Sequence, residues 1–426
     1  MHTILKDNKA LNNLHEQWSR MHEINASINA LTEIQSWENI LIDFNNLQET
    51  GSLYGWGIVV KDNICTKQLS TTCASKALKG FQAQYNATVV ERLFNQGAIL
   101  LGKSNMDEFG MGSSNLYSAY GPTYNNLDKN YIAGGSSGGS AAAVSAKMCR
   151  IALGSDTGGS VRLPAMFHGL YGIKPTYGAF SRYGLVAFSS SLDQIGVISN
   201  NIEDLAYACQ IMSGADEKDP TTLSIDPKIF TNELTKEPQL VNVGVDYDLL
   251  YAAHPDLHNL INLTLQKIQD KGHKLISIKL PVCEKLAACY MSIVCSESYT
   301  NLARFDGIRF GAQIPESGSE VQARLACGKY AIKNGLYTQA ASYRTMIINQ
   351  IRSIYHSNVD VILTNVSLDT ARCLNEDSSS KLANLCGLPA VNFPIGYHEN
   401  LPFGLQLIGK QYQDGNLLHI IKNLDL

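Results

Sequence analysis

The chain has 426 residues, of which 45% are hydrophobic and 17% are charged. Soluble proteins usually carry about 25% charged residues, so this composition predicts a large buried core rather than several small modules. The formal net charge is -4 and the pI is near 6.2. No basic stripe is present that would neutralise many phosphates, which argues against direct nucleic-acid binding by this chain alone.

The cysteines and the hydropathy pattern narrow the class of protein further. Ten cysteines are scattered from Cys65 to Cys386 without a Cys-x-x-Cys pair, which favours reduced thiols over a disulfide scaffold. No apolar run reaches the roughly 18 residues of a membrane-spanning helix. The N-terminus has no apolar signal-peptide stretch and has weak features of a mitochondrial presequence.

Strand and helix patterns alternate along the chain after a first helix predicted from about Asn8 to Leu31. Strand-type runs lie at 57–60, 98–102, 151–154, 239–245, 274–280, 359–366 and 404–409, and helical patterns at 87–97, 138–150, 255–271, 285–304 and 319–356. Short buried strands separated by amphipathic helices predict an α/β fold, a layered sheet with helices on both faces.

The most polar, Pro-containing stretch is 215–238, which we interpret as a surface connection between two halves of one domain. The predicted organisation is a single domain over 1–426. It comprises an N-terminal helical segment (about 1–50), a core (about 53–200), the connection and a second half (239–426). A domain boundary at the connection is the alternative.

Three sequence patterns are rejected because their context is wrong. Residues 97–104 match the P-loop pattern, but the residues that should cradle phosphate form a predicted buried strand. Residues 134–138 match the Gly-x-Ser-x-Gly nucleophile elbow, but no strand precedes them. His254 and His258 have the i,i+4 spacing of metal ligands, yet without a third ligand a solvated helix face is the favoured interpretation, and no metal site is predicted.

Two Gly/Ser-rich turns bracket a predicted helix and strand in the span AGGSSGGSAAAVSA…IALGSDTGGSVRLPA, and such turns can meet in space. This span resembles the amidase signature family, and the resemblance extends from about Leu53 to Gly196. It implies that Ser160 is the nucleophile, Ser136 the bridging serine and Lys61 the base. The two serines are 24 positions apart, in agreement with the family. The resemblance also implies the amidase-signature fold, with one large mixed β-sheet covered by helices on both faces.

These residue types fit the chemistry of amide hydrolysis. A serine hydroxyl is a weak nucleophile until a neighbouring base takes its proton. Lysine has a reference pKa of about 10.4, but burial at the end of an apolar strand lowers the pKa because it disfavours the charged form. The alternative for Lys61 is an ordinary strand-end lysine. Backbone N–H groups of the second turn can stabilise the oxyanion; the candidate donors are those of Thr157, Gly158, Gly159 and Ser160.

Further stretches are similar to the A subunits of glutamyl-tRNA(Gln) amidotransferases. They include GKSNMDEFGMGSS (102–114), KPTYG (174–178) and NLARFDGIRFG (301–311). This resemblance implies a glutaminase that releases ammonia for the conversion of Glu-tRNA(Gln) to Gln-tRNA(Gln). By local alignment it also implies that Arg324, Asp377 and Tyr290 bind glutamine. A surface ion pair or a core tyrosine is the alternative for each.

The resemblance implies partners as well. We expect a B-type subunit, a small third subunit, and tRNA contacts made mainly through the partner. No cofactor is expected in this chain, since ATP and magnesium would be used by the partner subunit. The expected location is the mitochondrial matrix, with the bacterial cytoplasm as the alternative. Rival functions are a stand-alone amidase with the same triad and an inactive scaffold, although the intact Lys61, Ser136 and Ser160 argue against the scaffold.

Overall fold

The computed structural model describes residues 8–48, 51–281, 284–309, 317–372 and 379–424. Its helices are α1 (Asn8–Ile28), α2 (Trp37–Asn46), α3 (Thr88–Asn95), α4 (Gly138–Ser145), α5 (Arg162–Phe167), α6 (Ile202–Met212), α7 (Ile229–Asn232), α8 (Tyr247–Leu250), α9 (His258–Asp270), α10 (Glu284–Leu302), α11 (Ser319–Lys333), α12 (Leu336–His356), α13 (Ser379–Leu385) and α14 (Asp414–Leu424). Its strands are β1 (Leu31–Ile34), β2 (Gly57–Lys61), β3 (Ile99–Ser104), β4 (Ile151–Asp156), β5 (Tyr171–Lys174), β6 (Gln194–Ser199), β7 (Asn242–Val245), β8 (Lys274–Ser277), β9 (Val361–Asn365), β10 (Ala390–His398) and β11 (Leu401–Gly409).

Within the described residues, these strands form one 11-stranded sheet in the order β1-β3-β2-β4-β6-β5-β10-β11-β9-β7-β8. Strand β2 is parallel to β3 and β4, and β7 is parallel to β8 and β9, while the other pairs are antiparallel. The predicted mixed sheet is therefore confirmed. Among the helices described, none is long and apolar enough to cross a membrane.

Helices cover both faces of the sheet, as predicted. Successive side chains of a strand point to opposite faces. Ile58 and Val60 of β2 accordingly belong to a hydrophobic cluster that includes Leu205 of α6, whereas Val59 belongs to a cluster that includes Leu14 of α1. The same alternation along β9 and β11 buries a third cluster beneath α10, α12 and α13.

Some predicted boundaries differ from the structure. The first helix ends at Ile28, because Leu31 begins an edge strand that pairs with β3. The helical pattern at 319–356 is two helices, α11 and α12, separated at Gly335. Gly335 has a φ of 69°, a left-handed conformation that glycine adopts without steric cost.

The polar connection at 215–238 is packed onto the rest of the molecule. It contains α7, whose Phe230 is fully buried in the main cluster and lies 6.1 Å from Phe180 between ring centroids. Strands from both sides of this connection belong to the same sheet. The single-domain division stays a prediction.

The sheet topology brings Lys61 close to the start of the second Gly/Ser-rich turn. Strands β2 and β4 are parallel neighbours, with Ile58 opposite Ile151 and Val60 opposite Leu153. Their carboxyl ends, at Lys61 and 156, therefore lie at the same edge of the sheet. Residues 99–104 form strand β3 beside β2, which confirms that the P-loop match is a strand.

Candidate active site

Lys61 is the last residue of β2, and its side chain is fully buried. Its Nζ lies 2.8 Å from the hydroxyl oxygen of Ser136 and 2.8 Å from that of Ser137. The same nitrogen lies 2.9 Å from Ser155 Oγ and 3.3 Å from Ser155 O. The predicted pairing of Lys61 with Ser136 is thus present in the geometry. The contacts with Ser137 and Ser155 were missed, although both serines belong to the turns and the strand that the sequence singled out.

Burial lowers the pKa of Lys61 to about 7. Loss of hydration disfavours the charged amine, and nearby carboxylates oppose this effect by favouring the charge. These carboxylates belong to Asp107, Asp156 and Asp193. A lysine with such a pKa is partly neutral near pH 7 and can accept a proton.

Ser136 and Ser160 belong to two turns that are joined through their backbones. The N–H of Ser137 donates to the C=O of Ser160 at 3.1 Å, and the Gly135–Ser136 peptide bond is cis. Ser160 is half-buried and lines a cleft, whereas Ser136 is almost fully buried behind it. Within the described residues, the Ser160 hydroxyl has no direct hydrogen bond to Ser136.

The turn that carries Ser160 is fixed by a buried ion pair that sequence reasoning missed. Asp156 accepts hydrogen bonds from the N–H groups of Gly159 (2.8 Å) and Val161 (3.1 Å). Its carboxylate pairs with Arg162 at 3.1 Å, and both side chains are fully buried. Burial by itself raises the pKa of Asp156, but Arg162, Lys174 and the Gly159 N–H together hold the pKa below its usual range. The two residues flank the Gly-Gly-Ser turn in the sequence. An acid and a base on either side of this turn are the sequence signal from which the pair could have been predicted.

The predicted oxyanion donors are not equivalent in the structure. The N–H of Gly159 already donates to Asp156. Among the described residues, no acceptor is found for the N–H groups of Thr157, Gly158 and Ser160. The Thr157 hydroxyl donates to Asp193 at 2.7 Å, which anchors the start of the turn. The amides of Thr157, Gly158 and Ser160 therefore stay candidate oxyanion donors, whereas the Gly159 amide is occupied.

Two of the three predicted glutamine-binding residues line the same cleft as Ser160. The cleft is bordered by Gly158, Gly159, Ser160, Tyr290, Arg324 and Lys381, among others. A Cβ atom placed on Gly158 would lie 2.4 Å from the Tyr290 hydroxyl oxygen, so the absence of a side chain at Gly158 lets the phenol reach the turn. The third residue, Asp377, lies outside the described residues.

Arg324 lines the cleft from α11, and it also pairs with a residue of its own helix. Its Nε donates to Glu320 at 2.7 Å, one helical turn earlier, and its guanidinium carbon lies 6.0 Å from the centre of the Phe188 ring. Burial by itself lowers the pKa of Arg324, but the hydrogen bond to Glu320 and the nearby Tyr290, Glu320 and Cys295 together raise the pKa. Arg324 is therefore permanently charged and oriented by Glu320.

A second buried carboxylate lies against the turn that carries Ser136. Asp107 accepts hydrogen bonds from the N–H groups of Asn115 (2.9 Å) and Tyr117 (3.1 Å). A Cβ atom on Gly135 would lie 2.1 Å from its carboxylate, so the carboxylate abuts the residue before Ser136. Burial raises the pKa of Asp107 to about 6, despite these hydrogen bonds. The GKSNMDEF stretch thus supports the serine turn.

His254 and His258, the i,i+4 pair, make ordinary local contacts. The Nε2 atom of His258 lies 2.9 Å from the carbonyl oxygen of Ala253, and His254 lies 3.5 Å from Asp256. In the part of the chain that the structure describes, no group of three or more His, Cys, Asp or Glu side chains could hold a metal ion.

Comparison with known proteins identifies the family. The amidase family model matches residues 14–418. The chain belongs to the amidase family. It is 39% identical over 408 residues to a protein of Natranaerobius thermophilus named as the A subunit of glutamyl-tRNA(Gln) amidotransferase, covering 89% of this chain and 83% of that relative. A relative of the same name from Chlamydia pneumoniae is 40% identical over 399 residues, covering 87% of this chain and 81% of the relative.

A solved structure agrees with these relatives. The crystal structure of the glutamyl-tRNA(Gln) amidotransferase A subunit from Thermotoga maritima is 34% identical, has a TM-score of 0.84 and covers 98% of this chain and 91% of that one. The predicted amidase-signature fold is therefore confirmed. These relatives are bacterial, so they fit the bacterial alternative for location and lend no support to the mitochondrial one.

Proposed function

We propose that this chain is the glutamine-hydrolysing A subunit of a glutamyl-tRNA(Gln) amidotransferase, with Ser160 as its nucleophile. The observation that carries the proposal is the fully buried Lys61 amine, 2.8 Å from Ser136 and directly behind the turn that bears Ser160. Relatives that share about two-fifths of its residues over most of its length carry that subunit's name.

The proposed reaction proceeds in two halves. Neutral Lys61 accepts the proton of Ser136, which accepts the proton of Ser160. The Ser160 oxygen attacks the side-chain carboxamide carbon of glutamine, and the amides of Thr157, Gly158 and Ser160 stabilise the oxyanion. The C–N bond then breaks, the proton returns through Ser136 to the leaving nitrogen, and ammonia departs. Water hydrolyses the resulting glutamyl ester by the same relay and releases glutamate.

Recognition of free glutamine needs a cation for its carboxylate and an anion for its ammonium group. We assign Arg324 to the carboxylate, because a guanidinium offers paired donors to two oxygens. Tyr290 places its hydroxyl at Gly158, where it would contact the bound amino acid. The assignment of Asp377 to the ammonium group rests on the family resemblance.

The proposed glutaminase works within a heteromeric complex. A B-type subunit would use ATP and magnesium to activate Glu-tRNA(Gln) and bind the tRNA, with a small third subunit beside it. The net charge of -4 agrees with tRNA contacts made through the partner. The bacterial cytoplasm is the location that fits the relatives named above.

The test is amidation of Glu-tRNA(Gln) by the purified complex with Ser160→Ala. With glutamine as donor, amidation should stop, whereas added ammonium salt should restore it, because the variant lacks only its ammonia source. Failure of ammonium rescue in an assembled, tRNA-binding complex would show that this chain does more than release ammonia. Glutamine hydrolysis unchanged by Ser160→Ala would remove Ser160 from the mechanism.

A further inference from the structure

Two cationic side chains line the cleft beside Ser160. Among its described lining residues, the charged side chains are those of Arg324 and Lys381, and both are cationic. Arg324 comes from α11 and Lys381 from α13, so two separate helices bring positive charge to one cleft. Glu320, which pairs with Arg324, borders a different cavity next to Glu108. Two cations from separate helices can together bind a negative group of a substrate in this cleft.

Lys381 is placed close to the reacting region. Its Nζ lies 5.6 Å from the centre of the Tyr290 ring, a distance at which the ring face attracts a cation. The hydroxyl of the same ring abuts Gly158, two residues before the nucleophile. One aromatic ring thus spans the distance between the Lys381 amine and the turn that carries Ser160.

Arg324 alone is a weaker anchor for a carboxylate than its charge suggests. Its Nε is already engaged by Glu320 at 2.7 Å, and that carboxylate offsets part of the positive charge. A carboxylate has two oxygens that can accept bonds from two different donors. A guanidinium and an ammonium group can therefore bind the same carboxylate without competing for one oxygen.

We infer that Lys381 is a specificity-determining residue of the cleft, which binds the α-carboxylate of the substrate together with Arg324. This inference rests on the proposed function, because it assumes that the cleft takes an amino-acid amide. It predicts a site selective for primary amides that carry a free carboxylate. Lys381 takes no part in the proton relay and should affect binding of the substrate rather than bond breaking.

The experiment compares two substrates in the purified complex, glutamine and glutamine α-methyl ester, which keeps the carboxamide and the ammonium group but has no carboxylate. In Lys381→Met, we expect KM for glutamine to rise on the order of tenfold, with kcat changed by less than about threefold. Lys381→Arg should restore most of the binding. Hydrolysis of the ester should change by less than about twofold, because it never used the amine.

The matched control is Lys329→Met, at an exposed lysine of α11, which should leave both substrates unaffected. An unchanged KM for glutamine in Lys381→Met, or an equal loss on both substrates, would overturn the inference while leaving the proposed function standing. A wild-type complex that hydrolyses no glutamine would instead refute the proposed function. Ammonium-dependent amidation, measured in each variant, shows that the complex is assembled and that the loss lies in this cleft.

Discussion

Lys61 and Ser136 meet at 2.8 Å between Nζ and Oγ in a region closed to solvent. The lysine ends strand β2, and the serine lies in the turn just before α4. Since burial lowers the pKa of Lys61 to about 7, the amine changes its protonation state within the physiological range. The pair can therefore serve as base and relay at neutral pH.

The first prediction concerns pH. Because the proposed base is the neutral form of Lys61, kcat/KM for glutamine should rise with pH through about 7 and level off above it. Well below that pKa, activity should fall about tenfold per pH unit. Lys61→Arg should abolish activity at every accessible pH, since a guanidinium stays protonated. The measurement is a pH profile of ammonia release, with Lys329→Arg as the exposed control. A flat profile between about pH 5.5 and about 8.5 would assign the base to another group.

The second prediction concerns the buried pair of Asp156 and Arg162. Asp156→Asn leaves Arg162 charged without its partner, which should lower the free energy of unfolding by about 3–5 kcal/mol. The control is Glu203→Gln, which breaks a half-exposed pair with Lys422 and should cost less than about 1 kcal/mol. Urea denaturation followed by circular dichroism gives both values. Equal losses of unfolding free energy in the two variants would mean that the buried pair contributes no more stability than the half-exposed one.

The third prediction concerns the contact between Gly158 and Tyr290. Gly158→Ala puts a methyl group where the phenol lies, 2.4 Å from its oxygen, and should displace the ring and raise KM for glutamine. The same change at Gly409 meets its nearest atom at 3.4 Å and should have little effect. A double-mutant cycle with Tyr290→Leu tests the cause. If the methyl group acts through the ring, the two effects will be less than additive; full additivity would contradict that explanation.

The sequence predicted those parts of the site that depend on local pattern. The apolar run before Lys61 and the run at 151–154 indicated strands, and the Gly/Ser-rich turns marked both serines. What it could not supply were contacts fixed by packing over long distances. Asp193 reaches Thr157 from the segment just before β6, and nothing in either local sequence indicates that bond. The Gly159 amide was predicted as an oxyanion donor, but it donates a hydrogen bond to Asp156 instead. Only the three-dimensional structure shows this contact.

The same distinction applies to the fold. Alternation of strands and helices predicted the α/β class, but the antiparallel strands β1, β5, β6 and β10 were missed. Strand β5 lies between β6 and β10 in the sheet, although β10 begins at Ala390, more than 200 residues later. Such a pairing leaves no periodic signal in either segment, because it depends on which edges remain after the helices have packed.

The last prediction separates glutamine from amides in general and concerns Arg324. Removing the guanidinium should cost about 2–4 kcal/mol in transition-state binding, or roughly 30- to 1000-fold in kcat/KM for glutamine. A simple primary amide such as propionamide has no carboxylate, so its hydrolysis should change little in Arg324→Ala. Glu320→Gln is the matched variant, because it keeps the guanidinium and removes only the partner that orients it; we expect a smaller loss on glutamine. The decisive quantity is the ratio of the two substrates' kcat/KM values. If both substrates fall together in Arg324→Ala, the arginine is structural, and a stand-alone amidase of broad specificity becomes the better explanation of the cleft.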